Sequence, residues 1–140
     1  MSILIKGGRV INPATQMEEE ADVLIEEDKV VEMKKNIEEK ADRVLDASGC
    51  YVMPGFIDMH VHFRDPGFEQ KEDIYTGMEA AAHGGYTTVL TMPNTKPVVD
   101  NPDVVNYVHN KAKAGNCIHV LQVGAVSYTH LRAHETRRHL

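Results

Sequence analysis

The chain has 140 residues, and its 15 Lys and Arg against 21 Asp and Glu give a formal net charge of −6 with neutral histidines. This length suits one modest domain and is too short for a complete (β/α)8 barrel, which needs about 250 residues. The acidic balance, with no basic stripe, argues against nucleic acid as a partner, and no segment approaches the ~18 consecutive apolar residues of a membrane span. Small-molecule chemistry is therefore favoured.

Residues 3–53 contain short apolar segments separated by polar or glycine-containing turns, a pattern typical of β-strands. Gly7-Gly8 and Glu27-Asp28 each lie between two such segments and predict tight hairpin turns. We interpret the acidic run of residues 18–20 and 22 as a solvated loop rather than a cation site. Residues 1–53 are thus predicted to form a small antiparallel β unit. Its strands are expected at Ile3–Ile5, Val10–Ile11, Val23–Ile25, Val30–Val31, Val44–Leu45 and Tyr51–Met53.

The pattern changes at Pro54-Gly55, and residues 54–126 alternate strands with helices. Strands are predicted over residues 56–63, 86–92 and 117–126, and helices over residues 73–83 and 103–114. Gly84-Gly85 and Gly115 are expected to end these helices in a left-handed conformation. This order predicts the α/β class, with a parallel sheet or the opening of a barrel that supplies three of the eight strands closure requires.

The first strand of this second part ends in two histidines. His60 and His62 are two residues apart, so on a strand both imidazoles project from one face and can reach one metal ion. An HxH pair without context is more often structural, but Pro66-Gly67 ends the strand just beyond it, at the edge where barrel enzymes place their sites. Asp58, two residues earlier, either orients a ligand or makes a structural hydrogen bond.

Two polar residues follow the strands at the same predicted edge. Arg64 presents a planar guanidinium that suits a substrate carboxylate, or alternatively forms a salt bridge to a nearby acid at position 65, 69 or 73. Asn94 follows the next strand, and its amide could donate to the same carboxylate or simply form a turn.

Residues 54–102 resemble the dihydroorotases of the metal-dependent amidohydrolase superfamily. The resemblance covers residues 1 to 126 and is carried chiefly by His62-Phe63-Arg64-Asp65-Pro66-Gly67 and Met92-Pro93-Asn94-Thr95. It implies the N-terminal part of a (β/α)8 TIM-type barrel, preceded by a small antiparallel β-sandwich segment. Allantoinases and dihydropyrimidinases are similar overall but typically lack this arginine, and their substrates lack the carboxylate it would bind.

The resemblance also implies an activity, the interconversion of N-carbamoyl-L-aspartate and dihydroorotate in pyrimidine biosynthesis with one or two Zn²⁺ ions. It makes His60 and His62 metal ligands, and it assigns Arg64 and Asn94 to the substrate carboxylate. The general-base Asp, two further His ligands and a bridging Asp or carbamylated Lys come from later strands that this chain does not contain. We therefore expect the 140-residue chain to be inactive alone.

Other functions fit the same residues. One is a non-catalytic scaffold subunit of a carbamoyltransferase, although a scaffold has no need of both a metal pair and a carboxylate clamp. Others are a related cyclic amidase and a self-contained metal-binding domain. The longer enzyme is expected to form a homo-oligomer or to associate with aspartate carbamoyltransferase.

Residues 127–140 differ in character from the rest of the chain. They hold three of its eight histidines, with His130 and His134 at the i, i+4 spacing of a helical zinc site. We reject that interpretation because residues 126–136 correspond to one reading frame of a transposon end joined to a sequencing adapter, so residues 127–140 are interpreted as a non-native tail. Cys50 and Cys117 form no CxxC pair and receive no role, and the N-terminus lacks a signal-peptide pattern, so a cytoplasmic protein is expected.

Overall fold

The computed structural model describes residues 1–125. Outside the described residues lie Val126, at the end of the third predicted barrel strand, and residues 127–140, which the sequence predicts to be a non-native tail. The chain divides between Pro54 and Gly55 into two compact units, each described by itself below. Neither helix of the described part is long and apolar enough to span a bilayer.

The first unit is a five-stranded sheet. Its strands are β1 (Ser2–Asn12), β2 (Met17–Glu26), β3 (Lys29–Lys34), β4 (Arg43–Asp46) and β5 (Tyr51–Val52). They are arranged in the order β3-β2-β1-β4, with β5 also paired to β1. β1 to β3 are antiparallel neighbours, whereas β4 and β5 pair with β1 in parallel, so the predicted small antiparallel β unit is in fact a mixed sheet. The reason is that β3 and β4 are not neighbours. The linker between them buries Ile37 against Leu4 and Leu24 as it returns to the other side of β1.

The predicted turn at Gly7-Gly8 was also wrong. β1 runs through both glycines, and its pairing with β2 shifts register between Ile5 and Gly8. Gly7 adopts a positive φ of 72°, which glycine reaches without steric cost, so the two glycines form a β-bulge instead of a turn. The prediction at Glu27-Asp28 is confirmed, since both residues have positive φ and connect β2 to β3 in a two-residue hairpin.

The acidic run of residues 18–20 lies within β2, paired to β1, and not in the solvated loop that the sequence predicted. Asp22 on the same strand is buried, with 5% of its surface exposed. Its carboxylate accepts hydrogen bonds from the backbone N–H groups of Gly7 and Ile37, both at 2.9 Å. The loop prediction from charge alone was wrong because residues 18–20 pair with β1 and because the Asp22 carboxylate accepts backbone N–H groups inside the fold.

The second unit confirms the predicted order of strands and helices. It contains β6 (Phe56–Val61), α1 (Ile74–His83), β7 (Tyr86–Thr91), α2 (Pro102–Gly115) and β8 (His119–Gln122). The three strands form a parallel sheet in the order β6-β7-β8. A hydrophobic core joins the sheet to both helices, and its buried members are Phe63, Ile74, Met78, Val89, Val108, Ala112 and Val120.

The ends of the two helices follow local chemistry. At the start of α1, Asp73 and Thr76 form a capping box, with the carboxylate accepting from the Thr76 N–H at 2.9 Å. After α1 the left-handed residue is Gly85 (φ 81°), as expected for this pair of glycines. After α2 it is Asn116 (φ 46°), while Gly115 remains inside the helix, so the prediction at Gly115 was off by one residue. Asparagine tolerates this conformation better than most residues.

Gly77 on α1 is expected to be intolerant of a side chain. A Cβ atom there would overlap the ring of Phe63, which is 7% exposed and packed in the core. Ala improves helix propensity by about 1 kcal/mol, but overpacking costs about 1–3 kcal/mol, so we expect Gly77→Ala to lower the free energy of unfolding. Urea unfolding of the expressed chain measures this. Gly124→Ala is the matched control, because a Cβ there meets nothing within 4 Å. An unchanged urea midpoint for Gly77→Ala would contradict the predicted overlap.

Candidate functional site

The carboxyl ends of β6 and β7 lie side by side, because the two strands are parallel neighbours. Their pairing continues past the end of β7, where the Met92 N–H donates to the Val61 carbonyl at 2.8 Å. We refer to residues 62–73 as the β6 loop and to residues 92–101 as the β7 loop. Polar side chains that begin these two loops are therefore brought to one edge of the sheet.

His60 and His62 stand at the end of β6, with their ring centroids 5.1 Å apart and their planes inclined by 66°. Both side chains are exposed. The backbone N–H of His60 donates to the Asp58 carboxylate at 2.9 Å, so Asp58 contacts the main chain and not an imidazole. Of the two roles considered for Asp58, the structure shows a structural hydrogen bond, which fixes the backbone beside the histidine pair.

His62 and Asn94 are in direct contact across the two loops. The His62 Nδ1 atom lies 2.9 Å from the Asn94 Oδ1 atom. An amide oxygen can only accept a hydrogen bond, so Nδ1 carries the proton and the Nε2 lone pair is left for a metal ion. The bond also leaves the NH₂ group of Asn94 available, and it has no acceptor within residues 1–125. One hydrogen bond thus orients a candidate metal ligand and a candidate substrate-binding amide.

Arg64 is half-buried and lies just beyond the strand, between the buried residues Phe63 and Asp65. Within residues 1–125 its guanidinium forms no ion pair, so the alternative of a salt bridge to a neighbouring acid is not what the structure shows. The carboxylate of Asp65 is bound by Lys111 instead. Within the described residues, the charge and the five N–H donors of Arg64 are therefore available to a ligand.

The donor set fits half of a zinc site. Two neutral imidazoles are ligands that zinc accepts, and catalytic zinc usually has three protein ligands and one open position. Within the described residues, no group of three or more His, Cys, Asp or Glu side chains could hold a metal ion. His60 and His62 can therefore supply two ligands, and the others must come from elsewhere.

One polar cluster near the site was not found from the sequence. Asp65 accepts hydrogen bonds from Lys111 Nζ at 2.6 Å, from Tyr107 Oη at 2.9 Å and from the Ile74 N–H at 3.2 Å. The hydrogen bond to Asp65 raises the pKa of Lys111, and burial followed by the same carboxylate raises the pKa of Tyr107. Tyr107 and Lys111 are four residues apart and share one face of α2, but their spacing does not reveal which acid they bind.

The β6 and β7 loops also touch through their backbones. The Lys96 N–H donates to the Pro66 carbonyl at 2.9 Å. Gly67 has a φ of 95°, and a Cβ atom at this position would overlap the Lys96 carbonyl oxygen. Only glycine allows this approach, which explains the Pro-Gly pair that sequence reasoning had interpreted merely as the end of a strand.

Comparisons with known proteins point in one direction. A family model described as dihydro-orotase-like matches residues 49–134. A dihydroorotase from Geotalea daltonii is 52% identical over 128 residues, which is 91% of this chain and 30% of the relative. A dihydroorotase from Clostridioides difficile is 52% identical over 126 residues, 89% of this chain and 30% of the relative. The chain thus spans about 30% of the length of these curated relatives.

Solved structures agree on the architecture. An L-hydantoinase (dihydropyrimidinase) from Arthrobacter aurescens superposes with a TM-score of 0.75 at 29% identity, covering 87% of this chain and 27% of that one. A triazine hydrolase superposes with a TM-score of 0.67 at 21% identity, covering 88% of this chain and 35% of that one, and supports the fold alone. The predicted fold class, the start of a TIM-type barrel, is confirmed by these similarities.

Proposed function

Because the chain belongs to the dihydro-orotase-like family, and so to the metal-dependent amidohydrolases, we propose that it forms part of a dihydroorotase that interconverts N-carbamoyl-L-aspartate and dihydroorotate in pyrimidine biosynthesis. The observation that carries this proposal is the 2.9 Å hydrogen bond between His62 and Asn94, with Arg64 unpaired two residues after His62. A metal ligand and carboxylate-binding groups at one edge of the sheet match a substrate that has both a cyclic amide and a carboxylate.

We assign His60 and His62 as two zinc ligands. Zinc, when bound, supplies Lewis-acid polarisation of an amide carbonyl and makes a nearby water more acidic. The chain's own contribution is orientation, since the Asn94 amide oxygen holds the proton of His62 on Nδ1 and thereby keeps Nε2 a lone-pair donor. A second zinc ion, and the remaining ligands, belong to the longer protein. The same is true of the general base, for which an Asp is proposed.

Arg64 and Asn94 bind the substrate carboxylate in this proposal. A guanidinium can form two parallel N–H···O bonds to a carboxylate, and the free NH₂ group of Asn94 adds a donor from the neighbouring loop. These contacts are made both before and during ring opening, so they hold the amide in place without moving a proton. They also give selectivity, because a cyclic amide without a carboxylate leaves both residues without their ligand.

A related cyclic amidase is the second candidate, favoured by the structural similarity to an L-hydantoinase at a TM-score of 0.75. Arg64 distinguishes the two candidate functions, since in this proposal it binds only a substrate that carries a carboxylate. The scaffold alternative explains neither the oriented His62 nor the unpaired Arg64.

The longer protein is proposed to act in the cytoplasm. Both cysteines are free thiols, as is usual in reducing compartments. Homo-oligomerisation, or association with aspartate carbamoyltransferase, also belongs to this proposal, and the sedimentation of the longer protein with and without that enzyme tests it.

A chimera tests the activity. Residues 1–125 of this chain replace the aligned residues of the Geotalea daltonii dihydroorotase, and the purified product is assayed on dihydroorotate, dihydrouracil and hydantoin, with the unaltered parent as control. We expect zinc-dependent turnover of dihydroorotate, with dihydrouracil and hydantoin turned over much more slowly. Turnover of dihydrouracil or hydantoin without dihydroorotate would favour the cyclic amidase, and a folded, zinc-loaded chimera with no turnover would favour the scaffold.

A further inference from the structure

We propose that Lys111 and Tyr107 of α2 are positioning residues for the carboxylate-binding site, acting through Asp65 on the β6 loop and on Arg64. This inference rests on the proposed function and deepens it, because it extends the site to a helix that makes no contact with substrate in the proposal. It depends on the geometry of one buried carboxylate.

Asp65 is an anchor rather than a surface acid. Only 2% of the residue is exposed, and its side chain is fully buried. Two of its three donors, Lys111 Nζ at 2.6 Å and Tyr107 Oη at 2.9 Å, come from α2, and the third is the first N–H of α1. A single side chain on the β6 loop is thus held by both helices of the unit.

Arg64 lies between two buried anchors. On one side Phe63 packs in the hydrophobic core, and on the other Asp65 is held by α2. With both flanking residues fixed inward, the backbone between them is fixed as well, and the guanidinium starts from a defined position. This matters for a long side chain, because its many rotamers must otherwise be restricted when substrate binds.

Lys111 is suited to this role because the anchor depends on its charge. Within residues 1–125, Lys111 is the cation that pairs with Asp65, and removal of one partner of a buried ion pair is strongly destabilising. The ammonium is itself confined, lying 5.4 Å from the ring centroid of Tyr75 and 5.7 Å from that of Tyr107. Without Lys111, the Asp65 carboxylate would become more exposed to solvent, and the β6 loop would be displaced with it.

The effect should be selective for one side of the substrate site. Asn94 on the β7 loop contacts His62, which precedes Arg64 in the chain, and that contact does not involve Asp65. His60 lies within β6 and is bound to Asp58. Loss of the Asp65 anchor is therefore expected to displace Arg64 while His60 and His62, the proposed zinc ligands, keep their positions.

The test compares Lys111→Met, Lys111→Arg and Tyr107→Phe in the chimera, with Lys113→Met as the matched control because Lys113 is exposed on the same helix. We expect Lys111→Met to raise KM for dihydroorotate about tenfold, with kcat and zinc content close to those of the chimera without the substitution. Lys111→Arg should restore most of the affinity. Tyr107→Phe, which keeps the ion pair, should give a smaller rise and serves if Lys111→Met does not fold.

Two further measurements make the test decisive. In an Arg64→Ala background, Lys111→Met should raise KM no further, because its effect passes through Arg64. Amide exchange over residues 64–68 should become about tenfold faster in Lys111→Met, whether or not the chimera is active. Additive effects on KM, or unchanged exchange, would overturn the inference. A chimera that turns over no dihydroorotate before any substitution refutes the proposed function instead, and the exchange measurement then tests only whether Lys111 anchors the β6 loop.

Discussion

Replacement of His60 by Ala in the chimera is expected to lower kcat/KM for dihydroorotate by about a thousandfold, equivalent to about 4 kcal/mol of transition-state stabilisation. The reason is the loss of one of the two imidazoles that the described residues offer to zinc. Steady-state kinetics measure the activity, and metal analysis of the purified protein measures the accompanying loss of zinc.

His109→Ala is the control for this substitution, because His109 is exposed on α2 and has no assigned role. It should leave both zinc content and kcat/KM unchanged. Treatment of the unsubstituted chimera with a chelator should reproduce the effect of His60→Ala, and added zinc should reverse the chelation but not the substitution. A His60→Ala protein with full zinc content and full turnover would refute the ligand assignment.

Replacement of Arg64 by Ala is expected to reduce kcat/KM for dihydroorotate by about a hundredfold, chiefly through KM, because two charge-assisted hydrogen bonds to the substrate carboxylate are lost. Arg64→Lys should recover only part of this loss, since an ammonium cannot reproduce the paired geometry of a guanidinium. Steady-state kinetics with dihydroorotate and dihydrouracil measure both the loss and its selectivity.

The comparison of substrates is what makes this prediction specific. Any turnover of dihydrouracil, which has no carboxylate, should be the same in Arg64→Ala and in the unsubstituted chimera. Arg9→Ala is the control, because Arg9 pairs with Glu18 on an exposed surface of the first unit. Equal losses on both substrates would indicate that Arg64 supports the fold and does not recognise the carboxylate.

The positions of the polar residues at the carboxyl edge of the sheet could be predicted from the sequence, because they depend on the local geometry of single strands and of neighbouring parallel strands. A strand brings residues two positions apart to the same face, so His60 and His62 could be paired without any tertiary information. Parallel strands present their carboxyl ends together, so Asn94 could be placed near them, and the structure shows it in contact with His62. The same rules located all five elements of the second unit, with small differences at their ends.

The errors arose where the outcome depends on residues distant in the chain. Two adjacent glycines suit a turn or a bulge, and Gly7 is in a bulge because β2 pairs with β1 on both sides of it and Asp22 accepts a hydrogen bond from its N–H. An acidic residue is usually expected on the solvent-exposed surface. Asp22 and Asp65 are nevertheless both buried, and their hydrogen-bond donors come from distant parts of the chain. No spacing rule connects Asp65 with Lys111, because the ion pair forms only when α2 packs on the sheet.

The hydrogen bond between His62 and Asn94 has a thermodynamic consequence. It joins, under the proposed roles, a group that binds the metal to a group that binds the substrate carboxylate. With zinc bound, the imidazole and with it the amide would be held in place, so a carboxylate would bind to a partner that has already lost its freedom to rotate. Because the coupling between two ligands is reciprocal, substrate would then increase the affinity for zinc by the same factor by which zinc increases the affinity for substrate. At low zinc, therefore, abundant substrate would itself help to keep the enzyme loaded.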